Sequence, residues 1–419
     1  MLQTPPKNVA IIGAGLAGMC LAIELHKRSI QSTIYELRNP TRLTAGALML
    51  SPNAIRIMED IGLYRRVKDQ GYLFESIAFK DADEKTTGVY YLGHEKLYGY
   101  QCLRLHRQVL LDELKDILQE TNIPIVYGKK FSSIISETSE SVTFSFEDGT
   151  TATADMLTGA DGIHSTVRRY IAPGTTANFS GLLALTCALQ KKDVRFPSIE
   201  GEDEYHLPVA INGKPGQFVM APQSTDGEEL LAGTQIPYPE QDRAGWARLA
   251  ADKDELLRLM RKDYERWPET VKSALDSVPK ESMFDWPFYT MPKLRSWVSA
   301  EGRVVILGDA AHAVPPAAGQ GASQAFEDAH TLAMLLERVL EKAGLQDALR
   351  FWNDKRQKRI DEVVKLTLKI NNMRLPQEQR EKLAEEDISL SDEGGQLAWL
   401  YGVDIGREFS DWVEERTAN

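Results

Sequence analysis

Apolar residues fill positions 9–12 without a break, and from 16 to 25 they recur with the 3.6-residue rhythm of a helix. A short unbroken apolar run feeding such a helix predicts a buried parallel strand followed by its crossover helix. A second strand is expected at 32–36, and a helix at 54–61, opened by Pro52-Asn53 and stopped by Gly62. From 74 to 100 apolar and polar residues alternate, with turn residues at 81–84 and Gly88, which predicts two or three antiparallel strands. Leu103-Arg-Leu-His-Arg107 reads as the start of an amphipathic helix reaching about 120. A ribbon follows at 125–127, 131–135, 142–146 and 152–155, its Asp148-Gly149 pair signalling a hairpin. Strand 156–159 leads into a glycine-rich loop and a short basic helix with Ser165 as its N-cap. Short strands dominate 179–237, a helical stretch covers 246–267 with 271–275 continuing it, and a strand returns at 284–289. Strand 303–307 runs into a loop of small residues and a helix from about 322 to 341, and 351–374 is a further amphipathic helix.

This order predicts an α/β protein. A Rossmann-like dinucleotide-binding domain (1–73, 101–177 and 278–345) would carry an inserted mixed β-sheet substrate domain (74–100 and 178–277). A C-terminal helical segment would cover 346–419. A chain of 419 residues is long enough for two domains. Its net charge of −12 argues against nucleic acid or an anionic membrane surface as partner. No apolar run reaches the roughly 18 residues of a membrane helix, and the seven residues before the first strand leave no room for a signal peptide. Cys20, Cys102 and Cys187 show no metal-binding or redox spacing. No metal is expected, and a reducing, cytoplasmic location is.

The chemistry starts at Gly13-x-Gly15-x-x-Gly18. Gly13 makes the tight turn, Gly15 lets backbone approach a pyrophosphate, and Gly18 lets helix pack on strand. The helix N-terminus turns free N–H groups and the positive end of its dipole toward an anion. Glu36, at the end of the second strand, is placed for a ribose 2′-hydroxyl, which suits FAD or NAD better than NADP. Arg38 and Arg42 could face phosphates or simply lie on the surface. Asp161 and Arg168, beside Gly159 and Gly162, suggest either a second contact to the nucleotide or a structural salt bridge. Asp309, after a strand ending in Gly308, is placed for a sugar-like hydroxyl, while His312 stands without a partner in sequence and reads as structural or ligand-shaping. Aromatic residues gather at Phe74, Phe79, Tyr90, Tyr91, Tyr98 and Tyr100, where they could line an apolar pocket or pack one face of a sheet.

Three motifs in this order, Gly13-x-Gly15-x-x-Gly18…Glu36, Gly159-Ala-Asp161-Gly162-x-x-Ser165-x-x-Arg168 and Gly308-Asp309-Ala-Ala-His-x-x-x-Pro316, resemble the single-component FAD-dependent aromatic hydroxylases. These are the group A flavoprotein monooxygenases of the p-hydroxybenzoate and salicylate hydroxylase type, and the resemblance spans 8 to about 340. It implies a Rossmann-like FAD-binding domain with non-covalent FAD. Gly13, Gly15, Leu16, Ala17 and Gly18 would hold the pyrophosphate and Glu36 the adenosine ribose. Arg107 would reach the ribityl or phosphate region, and Asp309 the ribityl or pyrophosphate end. Asp161 would serve both FAD and a transient NADPH or NADH. The 315–321 loop would sit against the isoalloxazine, with Gly319, Gln320 and Gly321 supplying a dipole at the N1/C2=O edge. The implied reaction reduces FAD with NAD(P)H, forms a flavin C4a-hydroperoxide with O₂, and inserts one oxygen atom into an aromatic or phenolic molecule. Tyr98, Tyr100 and His206 are candidates for a phenol-deprotonating base, and Pro316 for the catalytic loop.

The same scaffold also serves epoxidation, Baeyer–Villiger-type oxidation, antibiotic modification, or a flavin oxidase or dehydrogenase that moves only hydride. A flavin-binding protein without turnover is the reading from another class, and three intact motifs oppose it. A monomer or homodimer is expected.

Overall fold

The computed structural model describes residues 6–41, 46–198, 204–338, 344–388 and 397–417. Strands Asn8–Ile12, Gln31–Glu36, Ile125–Tyr127, Met156–Gly159 and Val304–Ile306 form one parallel sheet. Asn8–Ile12 lies at its centre, between 156–159 and 31–36. That position explains its unbroken apolar run, since helices cover a parallel sheet on both faces. Helix Leu16–Lys27 packs against the long helix Gly321–Arg338, and both face the main core.

The expected hairpin is present as an antiparallel ribbon of Phe131–Glu137, Val142–Phe146 and Thr151–Ala154. One expectation fails. Residues 103–106 do not begin a helix: Cys102–His106 is the middle strand of a small antiparallel sheet, between Ala47–Leu50 and Tyr72–Phe74, and the helix starts at Arg107. Leu103 and Leu105 are fully buried on one face while Arg104 and His106 take the other, the two-residue period of a strand.

A seven-stranded sheet takes the order 284–290, 178–190, 229–237, 217–222, 209–212, 76–80, 86–91. All its neighbours are antiparallel except 209–212 against 76–80. One face, carrying Leu183, Leu185, Phe218, Met220, Leu230 and Ala232, is buried under helices Arg243–Ala251, Lys253–Met260 and Glu269–Asp276. The strand at 284–290 is the edge of this sheet, although the sequence boundaries group it with the nucleotide-binding part.

Helix Leu345–Met373, of 29 residues and so about 44 Å long, begins in the main core. Trp352 is buried there, and Met373 at the other end packs on Phe79 and Ala210 of the large sheet. No helix among the described residues is long and apolar enough to cross a membrane.

Candidate active site

The three glycines of the first turn do different physical work. Gly13 has a φ of +108°, and a Cβ there would meet the Ala160 carbonyl oxygen at 2.5 Å. A Cβ on Gly18 would collide with the Gly13 carbonyl oxygen, so both residues are needed for close packing. Gly15 differs: its backbone is extended and a Cβ would meet no atom within 4 Å. The chain itself has no need of a glycine there, whereas a ligand approaching the backbone does. Leu16 is buried, and Ala17 packs near Gly308.

Glu36 closes this turn, one carboxylate oxygen accepting from Ala14 N at 2.7 Å and the other from Arg38 N at 2.7 Å. Arg38 is exposed, and Arg42 lies outside the described residues. Arg107 opens helix Arg107–Glu120, its backbone N–H held by Gly46 O. Burial lowers its pKa, Asp309 opposes that shift and Arg38 adds to it, and its guanidinium has no hydrogen bond within the described chain. Asp309 is exposed at the start of the turn Asp309–His312.

Asp161 accepts from Thr166 N (2.7 Å) and Val167 N (3.2 Å), with its other oxygen buried and unpaired; burial raises its pKa against these bonds. It makes no salt bridge with Arg168. Arg168 donates instead to Ala310 O and Ile163 O, so the second motif ties itself to the third; Ser165 Oγ accepts from Arg168 N, but the helix Arg168–Ile171 starts later than expected, with Val167 and not Ser165 at its N-cap position.

The loop at 315–321 rests on a fully buried polar layer that only the fold assembles. Gln320 is completely buried; its amide donates to Ser51 Oγ, and its carbonyl accepts from Gln324 and Asn53. Asn53 also donates to Glu327 at 2.6 Å. Arg356 bridges Glu327 (2.6 Å) and Asp328 (2.8 Å), and Arg359 grips Glu327 through two bonds. Asp328 accepts from Gly308 N and pairs with His312 Nε2 at 2.5 Å, which supplies the partner that His312 lacked in sequence. Burial pushes Glu327 up, but Arg359 and Arg356 outweigh it and hold the carboxyl at about 2. The side chain of Gln320 is therefore engaged inside the protein, and the residue as a whole is buried. The adjacent acid pair Glu327-Asp328 on the helix Gly321–Arg338, with Arg356 and Arg359 spaced for one face of a later helix, was the signal that could have revealed this layer.

The proposed base candidates are scattered. Tyr98 is buried against Tyr401, Ala318 and Leu400, and burial raises its pKa. Tyr100 packs edge-on to Tyr64 at 5.8 Å. His206 lies 3.2 Å from Ser76 Oγ, and Pro316 is exposed at the start of a single turn beneath the loop tip. Of the aromatic residues, Phe79 and Tyr90 pack edge-to-face on the large sheet and Phe74 stacks with Tyr72. Glu24, Asp60 and His330 bring three potential metal ligands together, but Arg28 and His330 already engage Glu24, and Lys27 engages Asp60.

A family model described as an FAD binding domain matches residues 7–367. The chain belongs to this family. As a group A flavoprotein monooxygenase it uses FAD as cofactor. It is 29% identical over 371 residues to a salicylate hydroxylase of Pseudomonas putida, covering 84% of this chain and 82% of that one. It is 26% identical over 409 residues to a 3-amino-4-hydroxybenzoate 2-monooxygenase of Streptomyces platensis, covering 96% and 98%. Its fold matches that of CtdE, solved in complex with FAD and a substrate, with a TM-score of 0.77 at 22% identity over 98% of this chain and all of the other. The residues present fit FAD: a cradle at Gly15 that a Cβ would fill, an acid at the turn, and a cation at Arg107 whose guanidinium makes no hydrogen bond among the described residues.

Proposed function

We propose that this enzyme consumes NADPH or NADH and inserts one atom of O₂ into an electron-rich, hydroxyl-bearing aromatic ring. The observation that carries this reading is the rigid 316–321 loop. It opens the 18-residue helix Gly321–Arg338 and is anchored from beneath by buried ion pairs. Bound FAD supplies the redox chemistry, with the nicotinamide as electron donor and O₂ as oxidant, the second oxygen atom leaving as water. Everything else falls to the chain. Gly13 to Gly18 and Glu36 would hold the adenosine diphosphate end, and Arg107, Asp161 and Asp309 the remainder of the cofactor. Backbone N–H groups at Gly319 to Gly321 would face negative charge developing at the flavin edge, a task their fixed geometry suits. The inserted sheet would roof the cleft and exclude water. Tyr98, with its pKa raised by burial, suits wall packing better than proton removal at neutral pH. Relatives named for hydroxylated ring substrates support this class.

The test is oxidation of NADH and NADPH by the FAD-loaded protein under ¹⁸O₂, across a panel of phenols and hydroxylated aromatic acids and amides. A product carrying one labelled oxygen is expected. Hydrogen peroxide as the sole oxygen product across the panel would overturn the reading.

A further inference from the structure

The chain returns to the 316–321 loop near its C-terminal end. Residues 397–403 include the single helical turn Ala398–Tyr401, and they bury Leu400 and Tyr401 against Ala318 and Tyr98. The Tyr98 and Tyr401 rings meet edge-on at 5.5 Å, and Val363, Leu366 and Ile370 of Leu345–Met373 complete this small core. Helix Ile405–Thr417 then packs on Gly321–Arg338, the helix that the loop opens. The loop therefore has a side wall as well as the polar layer beneath it.

Arginine side chains hold the backbone of this wall. Arg359 lies between wall and layer. Its Nε and Nη2 grip the Glu327 carboxylate at 2.5 and 2.7 Å, while Nη1 donates to Trp399 O at 2.8 Å and Nη2 to Leu400 O at 2.9 Å. Carbonyls in a last helical turn have no partner within the helix. The Trp399 ring covers the same guanidinium, its centroid 6.0 Å from Cζ. Arg56 makes a similar bridge, donating to Val403 O at 3.1 Å and to Tyr98 O at 3.0 Å. Arg374 holds the loop itself, from Nη2 to Ala317 O at 3.3 Å, with its Nε buried and unbonded. A planar fork with five donors can serve a carboxylate and two carbonyls at once, which a lysine ammonium on its flexible stem does poorly.

We infer that residues 397–403 are a wall of the pocket proposed for the flavin, and that Arg359 is the positioning residue that sets this wall against the loop. Arg356 already bridges Glu327 and Asp328 within the layer. Arg359 also reaches out of the layer, and its distinct contribution is the link from Glu327 to the wall. A wall held in place excludes water from this side of the pocket, which favours oxygen transfer to the ring over release of hydrogen peroxide. The effect on oxygen transfer rests on the monooxygenase reading; the wall itself does not.

Acrylamide quenching of bound-flavin fluorescence in the FAD-loaded protein measures the wall without turnover. In R359M the quenching constant is expected to rise about threefold or more. Y401A, which leaves the Arg359–Glu327 pair in place, should raise it by a similar factor. The double variant R359M/Y401A should be no more open than the more open single variant, because both act through one contact. R359K keeps a charge beside Glu327 without bridging both partners. Its urea midpoint should lie closer to the parent than that of R359M while its quenching still rises, and it carries the test if R359M does not retain FAD. Parent-like quenching in R359K and Y401A, or additive effects in the double variant, would overturn the assignment. For a compound that gains labelled oxygen, the peroxide formed per nicotinamide oxidised should be larger in R359K than in the parent, and an unchanged share would overturn the positioning role. If no compound gains oxygen in the parent, the monooxygenase reading fails and quenching alone decides the wall.

Discussion

On the core side of the 316–321 loop, Glu327, Asp328, Arg356 and Arg359 satisfy one another, and Asn53, Gln320 and Gln324 fill the remaining sites. On the cleft side, Arg104 and Arg374 are half-buried, each with its Nε shielded and unbonded, and neither meets a carboxylate among the described residues. The same side chain is therefore used in two ways within one site. A buried ion pair with every donor engaged fixes a shape, because removing either partner leaves an uncompensated charge. A buried cation with no partner fixes nothing by itself and is stable only to the extent that water or a ligand completes it. The loop between them is where the rigid layer meets the layer that waits for something from outside.

The sharpest way to break this contrast is to remove a charge from the satisfied layer. R356M should destabilise the protein by about 3–5 kcal/mol and lower FAD retention, read by urea denaturation. A loss under about 1 kcal/mol would show that the layer is not the loop's foundation. Acid should act on the same layer. The Glu327 pKa is depressed from 4.5 to about 2, so its contribution is present above 4.5 and is lost as pH falls toward 2. E327Q should remove that part of the acid sensitivity in denaturation midpoints measured across this window.

The glycine turn gives a smaller, paired effect. G13A forces a left-handed backbone and a collision with Ala160 O, and should cost about 1–3 kcal/mol in the FAD-free protein. G15A should stay within about 0.5 kcal/mol of the parent by thermal denaturation, yet bind FAD more weakly in fluorescence titration. Equal stability losses in the two would mean that Gly15 also serves the fold. Smallest of all, R104Q should leave stability unchanged or raise it by up to about 1 kcal/mol, since no ion pair is broken. Destabilisation on the scale of R356M would erase the contrast between the two layers.

Much of the nucleotide-binding half was legible because its requirements are local. A strand, a turn that only glycine fits and a helix follow one another within residues 8–27, and Glu36 ends the adjacent strand. The bond from Arg168 N to Ser165 Oγ is equally local, although the helix it was expected to cap begins only at Arg168, with Val167 at the N-cap position. The strand at 102–106 was not. Its alternation lasts only a few residues before the helix begins, and its pairing comes from 47–50 and 72–74, segments 28 and more residues away. Arg104 was consequently read as part of a helix start rather than as a residue facing a cleft. His312 lacked a partner for the same reason: Asp328 lies a full helix entry later, and Arg356 another 28 residues beyond. Tyr98, Tyr100 and His206 were grouped by chemical type, and the fold sends them to separate packing environments.

By itself, the sequence determined the dinucleotide turn, the alternation of parallel strands and helices, and the family to which they point. Those features depend on sterics and hydrogen bonds within a few residues. The tertiary structure alone decided which charges are satisfied and which are left open. Charge pairing depends on atoms brought within about 4 Å, and separation along the chain carries almost no information about that distance.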